Sequence, residues 1–215
     1  MTVSRVVGLL GGTFDPIHNG HLAIASDALT LLNLDEVRLV PCHRPPHRGA
    51  PALASSQRVD LLQLAVQDCD DISVDTRELA RDQASYTVTT LESVRQEVGD
   101  QVSIVFIMGA DAFAQLDTWY EWQRLRELAH IVVMARPNSD QPTHADLQQW
   151  LQHADYSGKV HQQCAGSVIM LQQRVMDISA TEIRQGIFRG ETGILTQMPK
   201  AVADYIVAHQ LYCKK

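Results

Sequence analysis

The chain has few cysteines, no excess of basic residues and no long apolar run. Its four cysteines, Cys42, Cys69, Cys164 and Cys213, are widely separated and include no Cys-x-x-Cys pair, which argues against a zinc ribbon or a disulfide framework. A net charge of -7 at pH 7 argues against nucleic acid as a partner, since nucleic-acid binding needs a basic face. No stretch reaches membrane-spanning length and no basic leader precedes the first apolar run, so we expect no membrane association and a cytoplasmic location.

Two common nucleotide-binding motifs are also missing. Neither the Gly-x-Gly-x-x-Gly fingerprint nor the Gly-x-x-x-x-Gly-Lys-Ser/Thr loop follows the first apolar run. Their absence argues against a hydride-transfer enzyme with a dinucleotide cofactor and against a P-loop NTPase.

Short apolar runs alternate with helical patterns along most of the chain. The runs predict strands at residues 5–10, 37–41, 72–75, 102–108, 131–135 and 168–171, with helices between most of them and a C-terminal helical segment at 180–188 and 200–211. This alternation predicts the α/β class: a single Rossmann-like, doubly wound parallel sheet with helices on both faces. A length of 215 residues with 45% hydrophobic content fits one domain spanning residues 1–215. Residues 138–166 are polar and are interpreted as a surface lobe or insertion, with Trp150 and Leu151 as its main apolar anchors.

The segment at residues 11–21 carries the strongest functional pattern. It lies between the first predicted strand and the first helix. It reads Gly11-Gly12-Thr13-Phe14-Asp15-Pro16, then Ile17, then His18-Asn19-Gly20-His21. A helix N-terminus offers unpaired N–H groups and a positive dipole, and two histidines three positions apart can face one anion. The segment therefore predicts a phosphate site, in which Gly20 lets the chain turn tightly between the imidazoles. Asp15 before a proline is interpreted as a loop-ordering or capping group.

A metal site and a plain helix start are the alternatives for this histidine pair. His18, His21, His43 and His47 could supply four metal ligands, but the arginines beside the last pair would repel a cation. The basic stretch at residues 43–48 suits an anionic substrate better, although a solvated basic turn explains it equally well.

A second anion-binding corner is predicted near the C-terminus, in Ile-Ser-Ala-Thr-Glu-Ile-Arg at residues 178–184. Ser179 and Thr181 lie at a predicted helix start, and Arg184 follows about one turn later, where its guanidinium suits a polyphosphate. Ser179 with Glu182 also fits a capping box, so a purely structural role is the competing interpretation. Two such corners suggest a nucleoside triphosphate lying between them.

A third group of residues follows the predicted fourth strand. Asp111 can accept hydrogen bonds from a ribose or can cap the next helix. The aromatic residues at 119–122 can stack on a planar ring or belong to the core. The segment at residues 85–91 begins a helix, whose N–H groups suit a carboxylate.

Together these motifs resemble the HxGH nucleotidyltransferase superfamily. Four further segments are similar to the bacterial nicotinate-nucleotide adenylyltransferase family: Pro45-Pro46-His47-Arg48, Ser85-Tyr86-Thr87, Thr118-Trp119 and Ala135-Arg136-Pro137. The resemblance spans nearly the whole chain apart from the polar segment. It implies transfer of an adenylyl group from ATP to nicotinate mononucleotide, with Mg²⁺ carried by ATP and no dedicated metal site. A nicotinamide nucleotide as acceptor, or a non-catalytic nucleotide-binding protein, are the alternatives, and a homo-oligomer is compatible with the sequence.

The resemblance also implies roles for individual residues. The catalytic group consists of His18, His21 and Arg184, with His21 holding charge on the α-phosphate. ATP is bound by a set that shares the two corners and the strand end: Gly11, Gly12, Thr13, Phe14, Gly20, Asp111, Ser179, Thr181 and Arg184. The acceptor nucleotide is bound by residues of the later segments: Arg44, His47, Tyr86, Thr87, Trp119, Tyr120 and Arg136. Among them, Trp119 stacks on the nicotinate ring and backbone N–H groups near Thr87 and Tyr120 meet its carboxylate.

Overall fold

Six parallel strands form one sheet in the computed structural model of the chain. The structure describes residues 3–43, 50–81, 84–135, 142–154, 159–172, 176 and 178–214. The strands are β1 (Arg5–Gly12), β2 (Glu36–Pro41), β3 (Ile72–Val74), β4 (Val102–Gly109), β5 (His130–Ala135) and β6 (Val168–Gln172). Their order is β3-β2-β1-β4-β5-β6, and every neighbouring pair is parallel. The predicted class and all six predicted strands are confirmed.

The helices of the described residues occupy the connections between strands and the C-terminal segment. They are α1 (Asn19–Leu31), α2 (Ser55–Val66), α3 (Thr87–Val98), α4 (Ala110–Phe113), α5 (Leu125–Leu128), α6 (Ala145–Gln152), α7 (Ala180–Arg189) and α8 (Lys200–Ala208). Short 3₁₀ helices lie at Leu116–Thr118, Trp122–Arg124, Lys159–His161 and Thr192–Gln197. In this part of the chain no helix has the length and apolar character needed to cross a membrane.

The sheet is buried on both faces, as a doubly wound fold requires. Val6 and Leu10 of β1 belong to one apolar cluster, with residues of α1, α2, α7 and α8. Val7 and Leu9, which point to the opposite face, belong to a second cluster with residues of α3 and α5. Because the strands are parallel, the carboxyl ends of β1, β2 and β4 meet at one edge, where ligands bind in open sheets of this type.

The polar segment at residues 138–166 lies within the connection between the paired strands β5 and β6. Among its described residues, the apolar side chains at 0% exposure are Leu147 on α6 and Val160 in a 3₁₀ helix. Trp150 and Leu151, the predicted anchors, are half-buried and pack against the second apolar cluster, to which Leu147 belongs. They thus anchor the segment beside the more deeply buried Leu147, which the sequence did not indicate, and Trp150 also packs on Trp122, with ring centroids 5.0 Å apart.

Candidate active site

His18 and His21, the two histidines predicted to face a phosphate, lie side by side at the start of α1. His18 is the residue immediately before the helix, in an extended conformation, and it is buried. Its imidazole stacks on that of His21 with ring centroids 3.7 Å apart and an angle of 27° between the planes. The buried ring of Phe14 contacts His21 edge-on at 5.0 Å. The β1–α1 loop therefore presents both imidazoles together with the positive end of a helix dipole.

The glycines of this loop make room for aromatic rings. A Cβ on Gly20 would lie 3.0 Å from His18 Nδ1 and 3.1 Å from Cε1, and one on Gly12 would lie 2.9 Å from the Phe14 ring. Gly20 is already part of α1, so the prediction that it forms a tight turn was wrong. A helical residue needs no special backbone freedom here, and glycine is required because the His18 ring occupies the space of a side chain.

Asp15 orders the loop. Its carboxylate is buried and accepts hydrogen bonds from the Ala52 backbone N–H at 2.6 Å and from the Tyr212 hydroxyl at 2.7 Å. His18, and not Asp15, is the capping position of α1. The loop-ordering interpretation of Asp15 is thus confirmed, and the capping alternative was wrong.

The second predicted corner lies at the start of α7. Ser179 is the residue that precedes the helix, as expected, but its hydroxyl makes no capping hydrogen bond. The capping box predicted with Glu182 is therefore not formed: the Ser179 side chain makes no capping hydrogen bond, and Glu182 is exposed to solvent. The helix start itself is confirmed, and a phosphate-binding role for the Ser179 hydroxyl stays a prediction.

Arg184 joins the two corners. One guanidinium nitrogen donates to the backbone carbonyl of Asp15 at 2.6 Å, and the other donates to the Thr181 hydroxyl at 3.3 Å. Ile178 lies next to α1, with its Cβ 3.7 Å from the position of a Gly20 Cβ. Asp15 and Arg184, which are 169 positions apart in the chain, therefore meet at one place, which is where the sequence predicts the phosphates of a nucleotide.

The ends of β1 and β4 connect this place to the aromatic residues. A Cβ on Gly11 would lie 3.6 Å from the Phe106 ring on β4, and Phe106 contacts Trp119 edge-on with centroids 6.3 Å apart. Trp119 is half-buried. Asp111 is exposed in the first turn of α4, whose capping residue is Gly109. The alternative in which Asp111 caps that helix was therefore wrong, and its carboxylate lies at the carboxyl end of β4.

A second aromatic pair marks the start of α3. Tyr86 precedes the helix and Thr87 is its first residue, which confirms the predicted helix start. The ring of Tyr86 lies 4.7 Å from that of Tyr120, which is 53% exposed. The N–H groups at the start of α3 thus lie beside two phenol rings. Arg44, His47 and Arg136 are outside the residues that the structure describes.

Sequence reasoning missed Arg58, a fully buried arginine on α2. Its guanidinium donates to the carbonyls of Thr13 at 2.6 Å and Cys42 at 2.7 Å, and to the Ser55 hydroxyl at 3.1 Å. It fastens the carboxyl ends of β1 and β2 together under the site. The available signal was its position three and four residues before Leu61 and Leu62, on the apolar face of the helix.

Glu78 is a second buried charge that the sequence did not indicate. The Thr90 hydroxyl on α3 donates to its carboxylate at 2.7 Å. Burial raises the pKa of Glu78, while hydrogen bonds from Thr90 and Ser85 act in the opposite direction. The Ser85 hydroxyl also accepts from the His43 N–H at 2.9 Å. Glu78 and Ser85 thereby connect the start of α3 to the chain that leaves β2.

Metal-ligating side chains do not cluster in the described part of the chain. No three residues among its His, Cys, Asp and Glu are arranged to hold an ion. His18, His21 and His43 are within this part, so the four-histidine alternative finds no support from them; His47 lies outside it.

The chain is similar to known proteins in sequence and in fold. The family model described as "Cytidylyltransferase-like" matches residues 9–186. A protein of Cellvibrio japonicus (strain Ueda107) named "Probable nicotinate-nucleotide adenylyltransferase" is 46% identical over 207 residues, covering 96% of this chain and 98% of the relative. A protein of Pseudomonas putida (strain W619) with the same name is 41% identical, covering 97% and 95%.

A solved structure shares the fold. The nicotinic acid mononucleotide adenylyltransferase of Plasmodium falciparum, complexed with NaAD, has a TM-score of 0.75 at 15% identity and covers 97% of both chains. At that identity the likeness shows the fold alone, whereas the sequence relatives cover almost the full length of this chain.

Proposed function

The chain belongs to the cytidylyltransferase-like family and, within it, to the nicotinate-nucleotide adenylyltransferases, and from this premise we propose which of its residues carry out the reaction. The enzyme transfers the adenylyl group of ATP to nicotinate mononucleotide in NAD biosynthesis. A phosphate oxygen of the acceptor attacks the α-phosphorus of ATP, and the bond from that phosphorus to the bridging oxygen of the β-phosphate breaks. Nicotinate adenine dinucleotide and pyrophosphate are the products.

The nucleophile needs no general base. The second pKa of a phosphate monoester is near 6, so its oxygen is already largely ionised at neutral pH. The protein can therefore act by holding the two phosphates in line and by stabilising the negative charge that shifts toward pyrophosphate.

We assign the phosphates of ATP to the two joined corners. His18 and His21 face the α-phosphate, with the loop residues Gly11 to Phe14 beside it, and Ser179, Thr181 and Arg184 hold the β- and γ-phosphates. The observation that carries this assignment is the contact of Arg184 with the Asp15 carbonyl, because it places the guanidinium beside the loop that presents the histidines. A guanidinium has five N–H donors, so contacts to one carbonyl and one hydroxyl leave donors for phosphate oxygens.

Mg²⁺ enters in this proposal as part of the substrate, bound to the phosphates of ATP. Its preference for oxygen ligands and for retained waters is met by a triphosphate with few protein contacts. Among the described residues no three His, Cys, Asp or Glu side chains are arranged to hold an ion. Asp111, at the end of β4, is placed at the ribose.

The acceptor is assigned to the side of Trp119 and the start of α3. The half-buried indole offers a face for the nicotinate ring, and N–H groups near Thr87 and Tyr120 offer donors to its carboxylate. Backbone donors favour an anion over a neutral amide, so the acid is preferred to the amide. Tyr86 lines the same side, and Arg44, His47 and Arg136 remain sequence-based assignments to this substrate.

Release of pyrophosphate from ATP tests the proposal directly. The purified chain is assayed with ATP and Mg²⁺ and with either nicotinate or nicotinamide mononucleotide. We expect a higher kcat/KM for the nicotinate nucleotide; equal values would contradict the carboxylate argument. We also expect His21→Ala to lower kcat by about 10²-fold or more, as for loss of one group that stabilises transition-state charge, with an unchanged circular dichroism spectrum. ATP binding without pyrophosphate release with either acceptor would support the non-catalytic alternative.

A further inference from the structure

The chain after α8 folds back onto the β1–α1 loop. Gln210 and Tyr212 have positive φ angles of 50° and 61°, and Leu211 between them is buried. Two left-handed residues reverse the direction of the chain, at a conformational penalty that non-glycine residues accept only where contacts fix them. This reversal brings the phenol of Tyr212 to the buried carboxylate of Asp15, to which it donates a hydrogen bond of 2.7 Å.

Asp15 is held from three directions by residues far from it in the sequence. One carboxylate oxygen accepts from Tyr212, the other accepts from the Ala52 N–H, and the backbone carbonyl accepts from Arg184. The residue is three positions before His18. A shift of Asp15 would therefore move both the support of the histidine loop and the acceptor that orients the guanidinium of Arg184.

The Tyr212 phenol stays a donor at every working pH. Burial and the negative charge of Asp15 raise its pKa far above the usual range, while Arg184 and Arg58 act in the opposite direction. Ionisation would place two negative charges against each other in a buried site. The hydrogen bond from Tyr212 to Asp15 is therefore not lost through ionisation of the phenol.

We propose that Tyr212 is a positioning residue for adenylyl transfer, which acts through Asp15 to fix the histidine loop and Arg184. The proposal rests on the assignment of the ATP phosphates to these two corners. Tyr205, on α8, supplies the control, because its phenol likewise donates to a carboxylate, that of Asp60 on α2, at 3.0 Å. In the described residues no hydrogen bond joins Asp60 to the histidine loop.

The test compares Tyr212→Phe with Tyr205→Phe, each of which removes one hydroxyl and keeps the ring. We expect Tyr212→Phe to lower kcat about 10-fold, since a shift of a fraction of an ångström in catalytic groups has effects of this order. The KM for nicotinate mononucleotide should change less than twofold, because Trp119 and the start of α3, to which the nicotinate ring is assigned, make no hydrogen bond to Asp15 in the described residues. Tyr205→Phe should keep kcat within twofold. A normal kcat in Tyr212→Phe, or an equal loss in both variants, would overturn the proposal.

A double-mutant cycle separates positioning from general loss of stability. If Tyr212 acts through Asp15, adding Tyr212→Phe to Asp15→Asn lowers kcat by less than twofold more than Asp15→Asn alone, whereas independent effects multiply. A multiplied loss would contradict the assigned route. The melting temperature of each variant is measured in parallel, and all rates are taken well below it.

Affinity for a non-hydrolysable ATP analogue, measured by calorimetry, keeps the two proposals distinct. If the wild-type chain releases no pyrophosphate, the functional proposal fails, and the positioning role is judged by binding alone. Weaker binding in Tyr212→Phe than in Tyr205→Phe then supports it, and equal binding in the two overturns it.

Discussion

Replacing Gly20 by alanine separates the geometry of the site from the stability of the fold. The added Cβ would lie 3.0 Å from His18 Nδ1 and 3.1 Å from Cε1. Unstrained van der Waals contacts between such atoms begin at about 3.5 Å. His18 is 5% exposed and stacks on His21, so its ring cannot swing away into solvent. We expect a displacement of about 0.5 Å, and since a 1 Å misplacement can lower rates by about 10²-fold, kcat should fall about 10-fold.

The stability of the same variant should not fall. Alanine is favoured over glycine in a helix by up to about 1 kcal/mol, and this gain offsets the small shift of one ring. Initial rates of pyrophosphate release and thermal unfolding are measured for Gly20→Ala and for Gly193→Ala, whose new Cβ would meet nothing within 4 Å. A normal rate in Gly20→Ala with an intact fold would refute the reasoning that this glycine makes room for the His18 ring.

Three further outcomes follow from the buried and bridging charges. Arg184→Lys should lower kcat by about 10²-fold, because one ammonium cannot reproduce the planar fork that serves both the Asp15 carbonyl and a phosphate; a loss below threefold would contradict this. Arg58→Met should lower the free energy of unfolding, measured by urea denaturation, by about 3 kcal/mol, since it leaves two buried carbonyls without donors. A decrease of less than about 1 kcal/mol would contradict this expectation. Burial lowers the pKa of His130 below its usual 6.5, so the stability contributed by the neutral ring is present above about pH 6.5 and is lost as the pH falls below it, by up to about 1.4 kcal/mol per pH unit. The gap in unfolding free energy between the wild type and His130→Leu should therefore be smaller at pH 5.5 than at pH 7.5, and a constant gap would count against this sign.

The sheet was predictable because each strand is a short run of apolar residues, and such runs are stable only when they are buried. The alternation of strands with helical patterns then left the doubly wound arrangement as the natural solution. The two corners that we propose for the phosphates could be recognised as candidates for a related reason: glycine, histidine, hydroxyl and arginine residues at strand and helix ends have few structural uses in such combinations.

What the sequence could not show depends on how the folded chain places individual side chains. Arg58 is buried because carbonyls from two loops meet it, and neither carbonyl is encoded by a neighbouring residue. The capping box of Ser179 fits the local pattern but is not formed. Glycine at position 20 suggests a turn, yet glycine is needed there because the His18 ring occupies the space of a side chain. For Arg58 the deciding contacts come from across the fold, whereas for Ser179 and Gly20 the local residue pattern did not determine the side-chain arrangement.

If Arg184 binds the phosphates as we propose, its contact with the Asp15 carbonyl has a consequence for a reaction with no proton to abstract. In such a reaction nearly all of the barrier reduction must come from charges that are already in place when the phosphates align. A guanidinium that reached the phosphates from a flexible side chain would have to lose its rotamer freedom during the reaction. Here a backbone carbonyl and a hydroxyl fix it beforehand, and the same Asp15 residue supports the histidine loop through its carboxylate. The two corners proposed for the phosphates are thus joined through Asp15 and Arg184, and we expect the residues that join them to affect the rate as strongly as those that touch the phosphates.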